Sequence, residues 1–425
     1  EGLARGIASG QLPVRIQPFW LSGNGYAASV FYGDLFLYLP AMLRLLSVPV
    51  QAAYKAFVFA VTLGTAVLTW WCVRRMLRDN AAALAASGLY TLSAYRMVDV
   101  YTRGAVGEYT ALLFLPLVAY GLWRIFSQED GAKPARLVWL PAAIGYTGLI
   151  QSHLLTGEMT GLLTLLICLA LWRRTLRANT FWPLAKVVAA MLLANAWFLV
   201  PLFDYLSRGS FAVGGISQYA GIQTMAAFPA QLFGLVFNGD TELLNLASDQ
   251  GTVNEMAFGM GTAVLLCALL FLGASFLLEP RQDPRWKLGR GGLWLGALCA
   301  WMATTWFPWN ALCDLHPLID RLAQTLQYPW RWVGPATLLW VLAGACALAL
   351  LRARPSWRMA AAGVLAALCL VSWGSLTESV LDAKELVNYY SAAALDSNEI
   401  SGGEYLPAGA DEYTVASSLE PFAQG

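Results

Sequence analysis

The chain has 425 residues, of which 58% are hydrophobic, 13% aromatic and 12% charged. An ordinary soluble domain has about 25% charged residues, so a soluble chain of this length has no way to bury so much apolar surface. The formal net charge is +1 and no basic patch is interleaved with aromatic residues, which excludes a nucleic-acid-binding protein.

Long uncharged runs predict about ten membrane-spanning helices. About 20 residues cross a hydrocarbon core of about 30 Å, and terminal Lys and Arg side chains extend shorter runs. The 137–172 stretch is interrupted only by His153 and Glu158 and is either two tight spans or a re-entrant hairpin. The sequence thus predicts an all-α polytopic membrane protein. The runs are 56–73, 80–95, 109–123, 137–172, 187–203, 256–278, 291–313, 332–351 and 359–377.

Basic residues alternate between two sets of loops. Five short loops hold sixteen of the 27 Lys and Arg residues, and loops of this kind lie on the cytoplasmic side of a membrane. The intervening loops are longer and sparsely basic, so we expect them outside the cytoplasmic membrane of a bacterium. The sixteen are Arg74, Arg75, Arg78, Arg124, Lys133, Arg136, Arg173, Arg174, Arg177, Arg281, Arg285, Lys287, Arg290, Arg352, Arg354 and Arg358.

This alternation divides the chain into three regions. Residues 1–54 form a first extracytoplasmic loop with interfacial helices, and we expect a membrane span before it. Residues 55–377 form the transmembrane bundle. Residues 378–425 contain nine acidic residues and one basic residue, and they either start an extracytoplasmic domain or are disordered.

The predicted spans have no Asp, Glu, Lys or Arg near their midpoints. Ion-coupled transporters usually keep such groups at the centre of the bilayer, so the pattern disfavours a transporter. The ionisable residues collect at the outer ends of the spans. This favours chemistry at the outer surface, on a substrate presented from the lipid.

The densest cluster of ionisable and aromatic residues near a hydrophobic run lies in 93–110. It contains two arginines, two carboxylates and two glycines that permit a turn, in the order Arg96, Asp99, Tyr101, Arg103, Gly104, Gly107 and Glu108. One interpretation is an Arg103–Glu108 or Arg96–Asp99 ion pair that closes a turn and contributes about 0–1 kcal/mol. The other is a functional site, which two acids and two arginines in so short a loop favour.

Three residues elsewhere are further candidates. Asp34 is a carboxylate in an apolar, aromatic run, and it is either hydrogen-bonded for structural reasons or kept for its charge. His153, with Glu158 nearby, is either a structural group or a ligand of phosphate or of a divalent metal. Pro329 disfavours a helix just before it, so Arg331 begins a span at the outer surface, where it caps the span or binds phosphate.

Short motifs recur in order along nearly the whole chain. With them the chain resembles the bacterial membrane proteins called 6-pyruvoyl-tetrahydropterin-synthase-related, relatives of the YfhO-like family, which share the architecture of GT-C glycosyltransferases. The motifs are Gly10-Gln-Leu-Pro, Gly23-Asn-Gly-Tyr26, Phe31-Tyr-Gly, Ala94-Tyr-Arg, Tyr101-Thr-Arg-Gly-Ala-Val-Gly-Glu108, Ser152-His-Leu-Leu-Thr156, Gln327-Tyr-Pro-Trp-Arg331 and Glu404-Tyr-Leu-Pro407.

The resemblance implies a GT-C-like membrane transferase that uses a polyprenyl-phosphate-linked sugar on the outer face. Such enzymes have an acidic residue near the end of the first span and another in a later outer loop. We expect the first span to precede Glu1, so Glu1 and Asp34 are the candidates for the first position. Glu108 matches the second position better.

Transfer of a sugar from a lipid phosphate needs a carboxylate that accepts the acceptor's proton and a cation that holds the leaving phosphate. Glu108, Asp99 or Asp34 is a candidate base. The candidate ligands of phosphate are Arg103, Arg96, Arg331, His153 and Tyr101, and arginine is favoured because it binds phosphate bidentately. The expected partners are the lipid-linked donor and membrane lipids, while the oligomeric state is open.

Two functions follow from the sequence. The first is a glycosyltransferase of the GT-C type that modifies an extracytoplasmic cell-envelope acceptor, with Glu108 and Arg103 facing a polar cavity above the bundle. The second is a non-enzymatic membrane protein that assists lipid-linked glycan export or envelope assembly. In the second case the same charges would pair with one another and leave no carboxylate facing a cavity.

Overall fold

A computed structural model describes residues 1–21, 23–129, 135–212, 222–233, 259–278, 282–382, 403 and 405–408. The regular elements named among them are all helices, which confirms the all-α prediction. Short 3-10 helices lie at Leu35–Leu37, Pro329–Trp332 and Leu351–Ala353. The α-helices are α1 Gly2–Ala8, α2 Ala28–Phe31, α3 Tyr38–Leu45, α4 Val50–Leu77, α5 Asn80–Thr91, α6 Ala94–Tyr101, α7 Val106–Leu112, α8 Leu115–Phe126, α9 Leu140–Ile150, α10 Leu154–Ala170, α11 Trp172–Thr175, α12 Ala178–Arg208, α13 Pro229–Phe233, α14 Thr262–Leu278, α15 Pro284–Met302, α16 Trp309–Cys313, α17 Pro317–Thr325, α18 Val333–Leu350 and α19 Pro355–Asp382.

Five helical stretches of the described chain are long and apolar enough to cross a membrane. They are Val50–Leu77, Val106–Phe126, Ala178–Arg208, Pro329–Ala353 and Pro355–Glu378. The protein is therefore a multi-pass membrane protein, whereas the total of ten spans is not confirmed and stays a prediction. The 137–172 stretch forms two helices, α9 and α10, joined by a turn at 151–153. Both interpretations of that stretch remain open.

Helix α18 is the centre of the bundle. Its residues are apolar on every side, which is typical of a helix surrounded by other helices, and almost all of them are buried. It packs against α5, α14 and α15. Glycines permit the closest approach, since a Cβ atom on Gly296 of α15 would lie 2.3 Å from Cδ1 of Trp340. Small residues at such contacts are how membrane helices pack closely without a hydrophobic driving force.

The predicted outer loop at 96–108 is mostly helical. Helix α5 ends at Thr91, the chain is extended at Ser93, and α6 continues inside the bundle with residues 94–100 all buried. Only residues 102–105 form the turn that leads into α7. The prediction of a loop over 96–108 was wrong for 96–101 and 106–108, because uncharged length alone does not show a short helix that carries buried polar side chains.

Contacts join loops of the same predicted set. Among the basic loops, the guanidinium of Arg358 pairs with Asp79, which begins α5. On the other face, the Thr325 hydroxyl donates to Glu158 Oε1 at 2.8 Å. The alternation of the chain between two faces, predicted from charge, agrees with these contacts.

A side chain from the first loop compensates for a proline in α12. Pro201 has no N–H group, so the carbonyl of Trp197, four residues earlier, loses its helical donor. Arg15 donates from Nη2 to that carbonyl oxygen, and its guanidinium lies 5.2 Å from the centroid of the Trp197 ring. An unsatisfied carbonyl in hydrocarbon costs several kcal/mol, so Arg15 both stabilises α12 and fixes residues 1–54 against it.

The same compensation occurs near the other end of α12. Pro183 leaves the carbonyl of Asn179 without its helical donor. Gln128, in the segment after α8, donates from Nε2 to that oxygen at 2.8 Å. Both prolines of α12 therefore create acceptors that connecting segments use as attachment points.

We expect Arg15→Met to destabilise the protein by about 1–3 kcal/mol, because it leaves the Trp197 carbonyl unsatisfied. In a Pro201→Ala background the backbone supplies an N–H for that carbonyl, so the same change should have a much smaller effect. Thermal unfolding of the four proteins in detergent measures this coupling. Arg208→Met, at an exposed ion pair of the same helix, is the control, and equal losses from Arg15→Met in both backgrounds would contradict the assignment.

Candidate functional site

Three motifs of the sequence meet where α7 begins. A Cβ atom on Gly107 would lie 2.0 Å from the Tyr32 hydroxyl and 2.5 Å from the carbonyl oxygen of Ser152. A Cβ atom on Gly33 would lie 2.5 Å from the carbonyl oxygen of Ile150. These distances are too short for any side chain, so glycine is required at both positions. The first loop, α7 and the turn before α10 are thereby held together.

Glu108 lies in the first turn of α7 and is the centre of a polar cluster. Its Oε2 atom accepts a hydrogen bond from Arg103 Nη1 at 3.0 Å and lies 3.7 Å from Arg331 Nε. Its Oε1 atom accepts a hydrogen bond from the Tyr95 hydroxyl. The side chain is only 2% exposed. One buried carboxylate thus joins α6, α7 and the 3-10 helix that precedes α18.

Arg103 also pairs with Asp99 of α6, whose side chain is fully buried. The backbone explains how the two acids reach one guanidinium. The N–H of Arg103 donates to the carbonyl of Val98 at 2.8 Å, and Gly104 adopts a φ of +61°, which favours glycine. The predicted turn between Arg103 and Glu108 is therefore confirmed. Asp99 pairs with Arg103, and not with Arg96 as one interpretation expected.

Arg331 approaches Glu108 from a distant part of the chain. Its Nη1 atom donates to the Leu326 carbonyl at 3.0 Å and to Gln327 Oε1 at 3.1 Å. The ring of Trp330 lies beside both guanidinium groups, with its centroid 4.2 Å from Cζ of Arg103 and 5.7 Å from Cζ of Arg331. Two arginines and one indole therefore form the wall of the cluster that faces Glu108.

His153 lies beside this cluster and caps α10. One ring nitrogen, Nδ1, shares a hydrogen bond of 2.8 Å with the Thr156 hydroxyl. Burial, together with the positive charge of Arg331, lowers the pKa of His153 to about 3. The imidazole is therefore neutral at physiological pH, so His153 can bind phosphate only through an N–H and not as a cation. Within the described ranges no three His, Cys, Asp or Glu residues are grouped as metal ligands.

Arg96 lies apart from the cluster and much deeper in the bundle. It is 1% exposed, and it donates to the Thr91 carbonyl and the Thr62 hydroxyl, each at 3.1 Å. Thr62 is the thirteenth of the 28 residues of α4, so the guanidinium is level with the middle of that helix. The prediction that span centres carry no charge was wrong for Arg96. The sequence missed it because Arg96 belongs to a helix that it had assigned to a loop.

Tyr101 does not join the cluster either. It ends α6, is 52% exposed and has its ring centroid 6.0 Å from that of Trp373 on α19. Its hydroxyl has no described contact with Glu108 or with either arginine of the cluster. Tyr101 is therefore placed to contact lipid and α19, and its predicted role as a phosphate ligand has no support in this geometry.

Asp34 occupies a second buried position, at the start of the 3-10 helix Leu35–Leu37. It is 5% exposed, and its Oδ2 atom has no hydrogen-bond partner among the described residues. Burial raises the pKa of Asp34 to about 6, although a hydrogen bond from Ser29 and the charge of Arg15 act in the opposite direction. The structure thus brings Glu108, Asp99, Arg103 and Arg331 together, with His153 beside them, and leaves Asp34 outside.

Two members of the cluster were not predicted as site residues. Tyr95 is four residues before Asp99, the spacing that places two side chains on one helical face, but this signal depends on recognising 94–101 as a helix. Trp330 directly precedes Arg331, and only Arg331 was expected to cap a span or bind phosphate. The stacking of Trp330 on Arg103 joins residues far apart in the chain and has no local signal.

Comparison with known proteins finds one family that part of the chain resembles. The sequence profile of the 6-pyruvoyl-tetrahydropterin synthase related domain, a membrane protein family, matches residues 30–239. The match covers just under half of the chain, so residues 30–239 are similar to that family. The resemblance seen in the sequence is confirmed, and the matched range includes α4 to α12 and the acidic part of the cluster. The likeness to the GT-C architecture stays a prediction.

A protein of Lactococcus lactis subsp. cremoris (strain MG1363), described as uncharacterized, is similar over 220 residues with 25% identity. The alignment covers 49% of this chain and 34% of the relative. The chain thus spans about a third of the length of the relative that it matches. The family match extends the resemblance beyond single motifs but assigns no activity to the cluster.

We expect Asp34→Asn to stabilise the protein at pH 7 by a free energy on the order of 3 kcal/mol. The ordinary pKa of an aspartate is about 4, so the folded state with a pKa of about 6 binds the proton more tightly than the unfolded state. The wild type is therefore as stable as the variant near pH 4 and loses stability as the pH rises through 6. Unfolding in detergent at pH 4 to 8 measures the difference. Asp204→Asn, at an exposed pair, is the control, and a difference that does not change with pH would contradict the shift.

Proposed function

We propose that this protein is a membrane glycosyltransferase of the GT-C type, which transfers a sugar from a polyprenyl-phosphate donor to an extracytoplasmic cell-envelope acceptor. The observation that carries the proposal is the convergence of two guanidinium groups on one carboxylate, with Arg103 Nη1 at 3.0 Å and Arg331 Nε at 3.7 Å from Glu108 Oε2. Transfer needs these two kinds of group side by side, a base and a holder of phosphate.

The proposed roles follow from the contacts of each group. Glu108 accepts the proton of the acceptor hydroxyl, while Arg103 and Arg331 hold the phosphate as its charge grows. Arg103 has a second carboxylate, Asp99, at hydrogen-bonding distance. Arg103 is therefore still compensated when Glu108 turns toward an acceptor. Tyr95 donates to Glu108 and is a positioning residue that an acceptor hydroxyl would replace.

The non-enzymatic role in glycan export or envelope assembly is the second candidate, and one observation favours it. Glu108 is 2% exposed and Asp99 is fully buried, and both are paired with Arg103. This is the arrangement that the non-enzymatic role predicts, with charges that satisfy one another. A buried ion pair contributes little net stability. In the non-enzymatic case, the cluster would serve to fix one arrangement of the helices at the end of the bundle.

Both candidates share a location. We propose that the protein lies in the bacterial inner membrane with the Glu108 cluster on the extracytoplasmic face, because the opposite loops carry the dense groups of Lys and Arg. The expected partners are a lipid-linked sugar donor and membrane lipids. A divalent metal remains compatible with the chemistry, and the proposal assigns no residue to hold it.

The decisive test is sugar transfer by the full-length protein with Glu108→Gln, using a panel of polyprenyl-phosphate donors. Loss of the base should lower the transfer rate at least about 100-fold, while the isosteric amide keeps its place beside Arg103 and Tyr95. Glu158→Gln is the matched control, because Glu158 is hydrogen-bonded to Thr325 outside the cluster. It should retain the wild-type rate.

Each result of this test distinguishes the candidates. An unchanged rate with Glu108→Gln removes Glu108 as the base. No transfer by the wild type with any donor of the panel favours the non-enzymatic role. Accumulation of each variant in the membrane, measured by immunoblot, separates loss of chemistry from loss of folding.

Arg103→Lys tests the phosphate contact separately. Lysine keeps the charge but lacks the planar fork that binds phosphate bidentately, so we expect the KM for the donor to rise about tenfold with a smaller change in kcat. Arg174→Lys, in a basic loop that contacts Gln128, is the control. An unaltered KM in Arg103→Lys would show that Arg103 does not bind the donor.

A further inference from the structure

A groove runs along the bundle between α14 and the first three turns of α19. It encloses about 500 Å³ and its walls are almost entirely apolar. Ala360 and Ala361 line it on α19, and these small side chains leave space that larger ones would fill. The lining residues are Leu266, Leu270, Leu351, Ser356, Trp357, Ala360, Ala361, Val364 and Leu365.

One end of the groove opens at a basic turn. Leu351 and Ser356 line that end, and the exposed residues Arg352 and Arg354 lie between them in the sequence. In the part of the chain that the structure describes, neither arginine has an ion-pair partner. Arg358, by contrast, is paired with Asp79. Two exposed arginines without an ion-pair partner at hydrogen-bonding distance thus lie at the mouth of an apolar groove, although the charge of Arg352 also acts on Asp79.

Trp357 marks the depth of this end in the membrane. Its side chain is 56% exposed, it lines the groove, and its ring centroid lies 5.9 Å from Cζ of Arg354. Exposed tryptophans of membrane proteins prefer the level of the lipid headgroups. The mouth of the groove is therefore level with lipid phosphates, and its apolar length extends into the hydrocarbon region.

We propose that the groove binds one acyl chain of an anionic glycerophospholipid whose phosphate lies against Arg352 and Arg354. The apolar walls suit a chain, and the two unpaired arginines suit a phosphate, which guanidinium binds bidentately. Basic pockets between membrane helices hold anionic headgroups in this way. A zwitterionic lipid carries its own cation beside the phosphate and gains less from the arginines.

This site is separate from the Glu108 cluster. The groove opens beside the loop that pairs with Asp79 at the start of α5, whereas Glu108 lies beyond the far end of the α5–α6 segment. The lipid site therefore does not depend on the proposed transferase activity. Its failure in a test would leave that activity untouched.

The test measures binding of phosphatidylglycerol and of phosphatidylcholine to the full-length protein by native mass spectrometry in detergent micelles. We expect the wild type to retain phosphatidylglycerol preferentially. The double variant Arg352→Gln/Arg354→Gln should bind it about 25-fold more weakly, since each arginine near an anionic headgroup contributes about fivefold. Arg74→Gln/Arg75→Gln is the matched control, because those exposed arginines also stack on tryptophans.

A second pair of variants tests the groove itself. Ala361→Phe fills the groove and should reduce retention of both lipids while the arginines remain, whereas Ala367→Phe, on an exposed face of α19, should leave retention unchanged. Equal retention of the two lipids by the wild type would overturn the proposal in favour of unspecific lipid. Undiminished phosphatidylglycerol binding in the double arginine variant or in Ala361→Phe would overturn it as well. Where Ala361→Phe does not accumulate, Ala361→Leu replaces it.

Discussion

The arrangement of the helices at the end of the bundle depends on the pairing of the buried Glu108 carboxylate with its neighbours. The carboxylate accepts hydrogen bonds from Tyr95 and Arg103 and lies within ion-pair distance of Arg331. A charge removed from water is tolerated only when it is paired and hydrogen-bonded. Each of these groups therefore requires the others, and α6, α7 and the start of α18 must meet in one arrangement. Because such a cluster specifies one geometry, it suits either a preorganised binding site or a contact that holds the helices in one arrangement.

The same requirement for satisfied polar groups organises the rest of the molecule. Pro183 and Pro201 each free a carbonyl of α12, and the side chains of Gln128 and Arg15 occupy those acceptors. The Trp197 carbonyl lies within the predicted span 187–203, and in hydrocarbon such a group needs a partner from the protein. The Asn179 carbonyl lies in the first turn of α12. The prolines thus determine where connecting segments attach to α12. Close contacts at Gly33 and Gly107 then hold the first loop against α7 and the turn before α10.

Much of this was predictable from the sequence, although not all of it. Arg103 and Glu108 were expected to meet because a short glycine-containing turn separates them, and they do. Arg331 was recognised as a residue at a span end, but its approach to Glu108 depends on how α18 packs against α5. Arg96 was assigned to an outer loop. Its depth beside Thr62 arises because α5 ends at Thr91 and the following helix α6 continues in the same direction inside the bundle.

By itself the sequence determined that this is an all-helical membrane protein, since long uncharged runs partition into lipid whatever their neighbours are. It also determined the alternation of basic loops and the family motifs. Only the tertiary structure decided which charges meet, because Glu108 and Arg331 are distant in the chain and their meeting depends on helix packing through glycine and small side chains. The tertiary structure likewise revealed the groove beside α19. An apolar helix face has the same sequence pattern whether another helix packs against it or not.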